Sequence, residues 1–288
     1  MRVTHGMLAD TTLRNLSANM LRLEKLQDQL TSGRRISKPS DDPIGVARAL
    51  IYRTTLAETG QFLRNIDAAT SWLNATDAAL DSQTYLLQRA RELAIRGATG
   101  SLSSEDRAAI AEEVRQIREQ SIQVGNSTIG NDYLFAGQRI TSPAFAADGT
   151  YTGDSGLIER EVGFGARLAI NVPGDTVFSA AFAALQDLVD GLVADDTAGI
   201  NASLGAIDAA LDDILVARSQ IGARANRLET AAARLADLEV NQTGLLSKEE
   251  DLEMAEAIMN YTVADNVYKA ALAAGARAIQ PSLLDYLR

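Results

Sequence analysis

The sequence predicts a mainly α-helical protein, a long antiparallel coiled-coil rod with paired N- and C-terminal helices and a small β-hairpin insert. Three observations predict it. Apolar residues recur at alternating steps of three and four over long stretches, as in helices that bury one stripe against a partner. Alanine supplies 48 of 288 residues and aromatics only 5%. Alanine is the strongest helix former and buries little area, so this composition favours long helices over a thick core. One central stretch, 131–176, departs from the pattern, being dense in glycine and β-prone runs.

The first helix carries Leu13, Leu16, Met20, Leu23 and Leu30 along one seam. Gly33 stops it, and the polar loop Ser37–Asp41 follows. Asp42-Pro43 restarts the chain, because an aspartate caps orphan N–H groups and proline fits the first helical position. From there eight of eleven seam positions between Phe62 and Gly97 are apolar. A break at 97–100 precedes Ser103 and Asp106, spaced as a capping box for a third helix through Ile110, Val114, Ile117 and Val124. Within 131–176, Asp148-Gly149 and the alternation of Leu168, Ile170 and Val172 predict two β-hairpins. Between Ile200 and Leu235 ten of eleven seam positions are apolar, which predicts a coiled-coil helix ending near Gly244. Ser247 and Glu250 then have the spacing to open a final helix, with Met254, Ile258, Tyr261, Tyr268, Leu272 and Ile279 on one face.

This order is symmetric and nests. Residues 1–42 and 245–288 form paired terminal helices, 43–130 and 177–244 a helical rod, and 131–176 an outward insert. A helix of ~50 residues spans ~75 Å at the standard rise. Residues 1–40 hold seven basic against three acidic side chains, and 241–288 hold four against seven, which favours association of the two ends. Chain ends stay ordered only when docked. The stripes Leu13, Leu16, Met20, Leu23, Leu30 and Ile258, Tyr261, Tyr268, Leu272, Ile279 are therefore expected to be assembly surfaces, buried by neighbouring copies.

Composition also excludes chemistry. Without cysteine and with His5 as the one histidine, thiolate nucleophiles, cysteine zinc sites and most imidazole chemistry are closed. A net charge of −11 argues against nucleic acid as a partner. The first twenty residues lack a secretory apolar block, and no uninterrupted apolar run reaches membrane-spanning length, so no membrane insertion is expected. Gly153-Asp154-Ser155-Gly156 matches the loop around a serine-protease nucleophile, yet His5 lies beside a helix and a mostly helical chain of 288 residues leaves no room for two barrels, so it reads as a turn. Gly163-Phe164-Gly165 reads as a hairpin turn, and Asp195-Asp196-Thr197 as a solvated one. No catalytic, cofactor or metal constellation emerges, and no enzyme activity is expected.

The segments LTSGRRISKPSDDPIGVARAL (30–50) and SWLNATDAALDSQTYLLQRARELAIRGATG (71–100) resemble the bacterial flagellin family. The resemblance covers roughly 1–140 and 200–288. Within the family, NDYLFAGQRITSPAF (131–145), SKPSDDP (37–43) and the ending QPSLLDYLR (280–288) resemble the branch that sits at the hook–filament junction. The resemblance implies a structural protein exported unfolded by the flagellar type III apparatus and located at that junction outside the cell. It further implies self-association in a ring, with hook-associated protein 1 and flagellin as neighbours. An export chaperone would hold the C-terminal region, with Leu283, Leu284, Tyr286 and Leu287 as its contacts. A short filament flagellin and an intracellular coiled-coil scaffold are the alternatives.

Overall fold

The computed structural model describes residues 5–100 and 102–279. The helices are α1 (His5–Ser32), α2 (Pro43–Gly97), α3 (Ser104–Gly125), α4 (Asp175–Val193), α5 (Thr197–Glu250) and α6 (Met254–Ile279). Between α3 and α4 lie the strands β1 (Thr128–Ile129), β2 (Asp132–Tyr133), β3 (Glu159–Gly163) and β4 (Ala166–Ala169), in two antiparallel pairs. The expected mainly helical fold is the one observed. The chain divides into two compact units, Met1–Glu58 with Leu238–Arg288, and Thr59–Asp237.

In the first unit α1 packs on α6. A Cβ at Gly275 would meet Thr12, while Arg34 bridges to Asp251 at the opposite end, so the two helices run antiparallel. Gly33 adopts φ +68° and ends α1 as expected, since only glycine takes this conformation without strain. Asp42 accepts from the Gly45 N–H at 2.9 Å and Pro43 opens α2. The other end of the unit differs from expectation. α5 runs through Gly244 to Glu250, and Ser247 lies inside the helix, donating to Asp251. One interior glycine costs a helix only about 1 kcal/mol. The break falls instead at 251–253, where Leu252 N–H donates to Gly33 C=O and Arg35 N–H to Glu250 C=O.

The second unit holds the core. Every seam position of α2 from Phe62 to Gly97 is buried, including Thr76 and Gln83. On α5 the side chains of Ile200, Ile207, Ile214, Ile221, Leu228 and Leu235 are buried at strict heptad spacing. The polar seam positions have local solutions. Gln83 accepts from Ser121 Oγ at 2.7 Å, so the interruptions in two stripes meet each other. Arg218, the one polar seam position of α5, reaches Asp77 and Asp81 on α2 at 2.9 and 2.8 Å. α3 begins at the expected capping box, with Ser103 and Asp106 bonded reciprocally.

Helix α4 has no counterpart in the seam reading. Its first three turns bury Val177, Phe178, Ala181, Phe182, Ala184 and Leu185, one broad stripe at three- and four-residue steps. By length and composition it could cross a membrane, but these side chains are packed into the core. Phe135 and Phe145 meet α4 through Phe178 and Phe182, with ring centroids 4.7 and 4.9 Å apart. Residues 131–176 thus feed the buried centre of this unit. The first hairpin starts earlier than expected, at Thr128. The second turns at Phe164-Gly165, and a Phe145–Tyr151 bridge closes around Asp148-Gly149. Leu168, Ile170 and Val172 are all buried. The β3–β4 tip lies on α2, where Phe164 meets Phe62 edge-on and Asn65 donates to Glu161 C=O.

Candidate assembly surface

The α1–α6 pair shields little of what it carries. On α1 the half-buried positions Thr12, Leu16, Asn19, Leu23, Leu26 and Leu30 recur at three- and four-residue steps and form the face toward α6. Leu13 and Met20, expected on the same seam, stand exposed instead, together with Met7 and Leu21. On α6 the half-buried face contains Tyr261 and Tyr268 with buried Ala257 and Gly275. Ile258 and Leu272 are exposed on one flank of it beside Met254. A second flank, which the sequence reading passed over, exposes Met259, Val263 and Val267. Helix α6 therefore presents apolar side chains on both flanks of its packed face, interspersed with polar Asn260, Asn266 and Lys269. Ile279 is its last residue, and Leu283, Leu284, Tyr286 and Leu287 lie outside the described residues.

Concentration makes this distinctive. Fifteen of the 22 exposed large hydrophobic side chains fall in the first unit, whereas its buried apolar side chains are Ile36, Ala49 and Ala257 alone among the described residues. Scattered exposed apolar residues are ordinary, but a crowded patch marks an interaction site. Val263 and Val267 line a groove of about 360 Å³ with Leu26 and Ala264, and Arg22 and Lys25 contribute its charge.

Charges pin the connectors of this unit. Glu250 is buried and receives Arg53 at 2.6 Å. Glu249 receives Arg48 at 3.1 Å, and its backbone carbonyl accepts from Arg35. Lys25 reaches Asp41 at 2.8 Å. The Lys25 hydrogen bond holds the Asp41 carboxyl below its ordinary pKa, and the Gly45 N–H does the same for Asp42. These contacts fix the connectors that precede α2 and α6, while α1 packs on α6 directly.

The motifs singled out as possible chemistry are structural. Asp154 accepts from the N–H groups of Gln138 and Gly156, both at 2.8 Å, which lowers its pKa. Gly137, at φ +72°, passes so close that a Cβ there would collide with Asp154 C=O. The Gly-Asp-Ser-Gly loop is thus a turn locked onto Phe135-Ala136-Gly137, whose first two residues are fully buried. Asp195, at φ +56°, pairs with buried Arg107, and Asp196 caps α5 by accepting from Ala198 N–H.

Comparison with known proteins agrees with this architecture. Residues 3–139 match the bacterial flagellin N-terminal helical region, and 204–287 the bacterial flagellin C-terminal helical region. A flagellar filament 30.7 kDa core protein of Treponema maltophilum is 30% identical, over 91% of this chain and 90% of its own. Flagellar hook-associated protein 3 of Escherichia coli is 25% identical over 94% of both chains. Among solved structures, hook-associated protein 3 of Legionella pneumophila shares the fold with a TM-score of 0.64, at 20% identity, over 69% of this chain and 98% of its own. The first family region takes in α1, α2, α3 and the first hairpin, the second most of α5 with α6, and the chain belongs to the bacterial flagellin family.

Proposed function

We propose that this chain is the adaptor that joins the flagellar hook to the filament, assembling in a ring through α1 and α6. As a flagellin-family member it is a structural protein of the flagellum, with no enzyme activity. The observation that carries the reading is the crowding of exposed apolar side chains on the first unit, which only neighbouring subunits would cover. Leu13, Leu16, Met20, Leu23, Leu30, Ile258, Tyr261, Tyr268, Leu272 and Ile279 form the assembly elements, Met259, Val263 and Val267 adding a second flank. Hook-associated protein 1 lies on one side of the ring and flagellin on the other. The chain leaves the cell through the type III export apparatus, its tail residues Leu283, Leu284, Tyr286 and Leu287 held by an export chaperone beforehand. The junction position is supported by the resemblance of 131–145 to the junction branch and by the name of the Escherichia coli relative.

Identity to a filament core protein favours a second reading, a subunit of the filament itself. Immunogold microscopy of intact flagella, using an antibody to the exposed β3–β4 tip, separates them. Label in a narrow band where hook meets filament is expected. Label along the filament would establish the second reading, and retention in the cytosol would overturn both.

A further inference from the structure

The sulfur of this protein is distributed in a way that its packing does not require. The chain has five methionines and no cysteine. Met1 lies outside the described residues. The other four are Met7 and Met20 on α1, and Met254 and Met259 on α6. Their exposures are 61, 59, 48 and 61%, and no described methionine contributes to the buried core. Leucine, isoleucine, phenylalanine and alanine fill that core instead. Every described sulfur atom therefore stands on the helix pair that the proposed function makes the assembly surface, with Met254 and Met259 on opposite flanks of α6. Unbranched thioethers adapt to neighbours of different shape, a property suited to a subunit that must contact two unlike lattices.

The same atoms are the softest nucleophiles the chain presents. We infer that Met7, Met20, Met254 and Met259 form an oxidation-sensitive face, which a peroxide converts to methionine sulfoxide and thereby disables for assembly without unfolding the chain. In each step the thioether sulfur attacks one peroxide oxygen and the O–O bond breaks. The sulfur gains that oxygen and is oxidised by two electrons, while the other oxygen leaves as water. The product is a polar sulfoxide, which resists burial against an apolar neighbour. The core loses nothing, because none of the four side chains belongs to it. Once copies have assembled, their contacts cover these sulfurs, so the unassembled chain is the sensitive form.

The inference rests on the assembly reading, and one experiment separates their fates. Purified full-length chain is treated with hydrogen peroxide, and peptide mass spectrometry locates each added oxygen. Helical circular dichroism then reports the fold, and sedimentation velocity over a concentration series reports self-association. Expected are one oxygen on each of the four residues, an unchanged helical signal, and at least a tenfold rise in the concentration for half-assembly. Methionine sulfoxide reductase should restore assembly, a readout independent of any variant's folding. In the variant M7L/M20L/M254L/M259L, whatever its own half-assembly concentration, peroxide should not move that concentration, and a rise as large as in the native sequence overturns the inference. Oxidised chain that assembles as readily as untreated chain overturns this inference alone. Failure of the reductase to restore assembly also overturns it. Untreated chain that stays monomeric at every concentration overturns both readings.

Discussion

Buried polar side chains in the second unit carry opposite signs of consequence. Gln83 and Ser121 satisfy one another, but the Gln83 Nε2 group is buried with no partner, and such a group costs about 1–3 kcal/mol. Replacing the pair by apolar residues, Gln83→Leu with Ser121→Ala, should stabilise the chain by about 1–2 kcal/mol, read as a higher midpoint in urea. Arg107 is the converse. Its guanidinium donates to Gly97 C=O at 3.0 Å and Thr99 C=O at 3.1 Å, and pairs with Asp195. It closes the C-terminal end of α2 and the α4–α5 turn together. Arg107→Ala should cost about 2–4 kcal/mol by the same measurement, because it removes the side-chain donor to the carbonyl of buried Gly97 together with the packed Arg107 stem. Tyr151 adds a pH dependence. Its hydroxyl donates to Asp154 C=O at 2.6 Å. Burial, aided by the nearby Asp175, pushes its pKa up to about 12 from 10.0. Because the folded value exceeds the unfolded one, the stabilisation is fully present below pH 10 and is lost as pH rises towards 12. Denaturant midpoints at pH 9 and 11 should fall apart in the native sequence, and Tyr151→Phe should flatten that part of the difference.

At the scale of elements, α6 invites a direct test of the surface. Val263→Asp or Val267→Asp places a charge on an exposed flank. It should leave the helical signal intact while lowering self-association at least tenfold, about 1.4 kcal/mol of contact energy, by sedimentation. A folded variant that assembles normally would remove this flank from the interface. Elements were legible where one stripe faced one partner. Both long seams, the Gly33 stop, the Asp42-Pro43 start and the Ser103–Asp106 box follow from spacing and capping chemistry alone. Helix α4 was not, although Phe178, Phe182, Leu185, Leu188, Val189 and Leu192 recur at helical steps, because Gly174 at its N-cap supplies no side-chain cap to mark its start. The Ser247–Glu250 spacing misled for a different reason. A capping pair opens a helix only where the backbone already breaks, and that break is set by pairing with Gly33 and Arg35, more than 200 residues away in sequence. The candidate surface divided similarly. Leu16 and Leu23 share a seam in sequence with Leu13 and Met20, but the turn angle of a real helix puts the second pair outside. The Met259, Val263 and Val267 flank went unread because a search for one stripe stops at the first.

For the molecule as a whole, buried and exposed apolar side chains are segregated. The second unit holds nearly all of the buried apolar side chains, and the first holds most of the exposed ones. Local opening free energy follows buried contacts. In unassembled chain, amide hydrogens of α1 and α6 should therefore exchange well before those of the α2 seam, by mass spectrometry at neutral pH. Equal protection along all three would contradict the division. Pairing of α1 with α6 also joins the first described helix to the last, the widest separation the chain allows, and contacts of that span form late. A sticky surface built from both ends does not exist on a nascent chain or on a fragment that has lost either end. On the proposed assembly reading, the fold thereby contains a check: a polypeptide would qualify as a building block only after α6 has returned to α1.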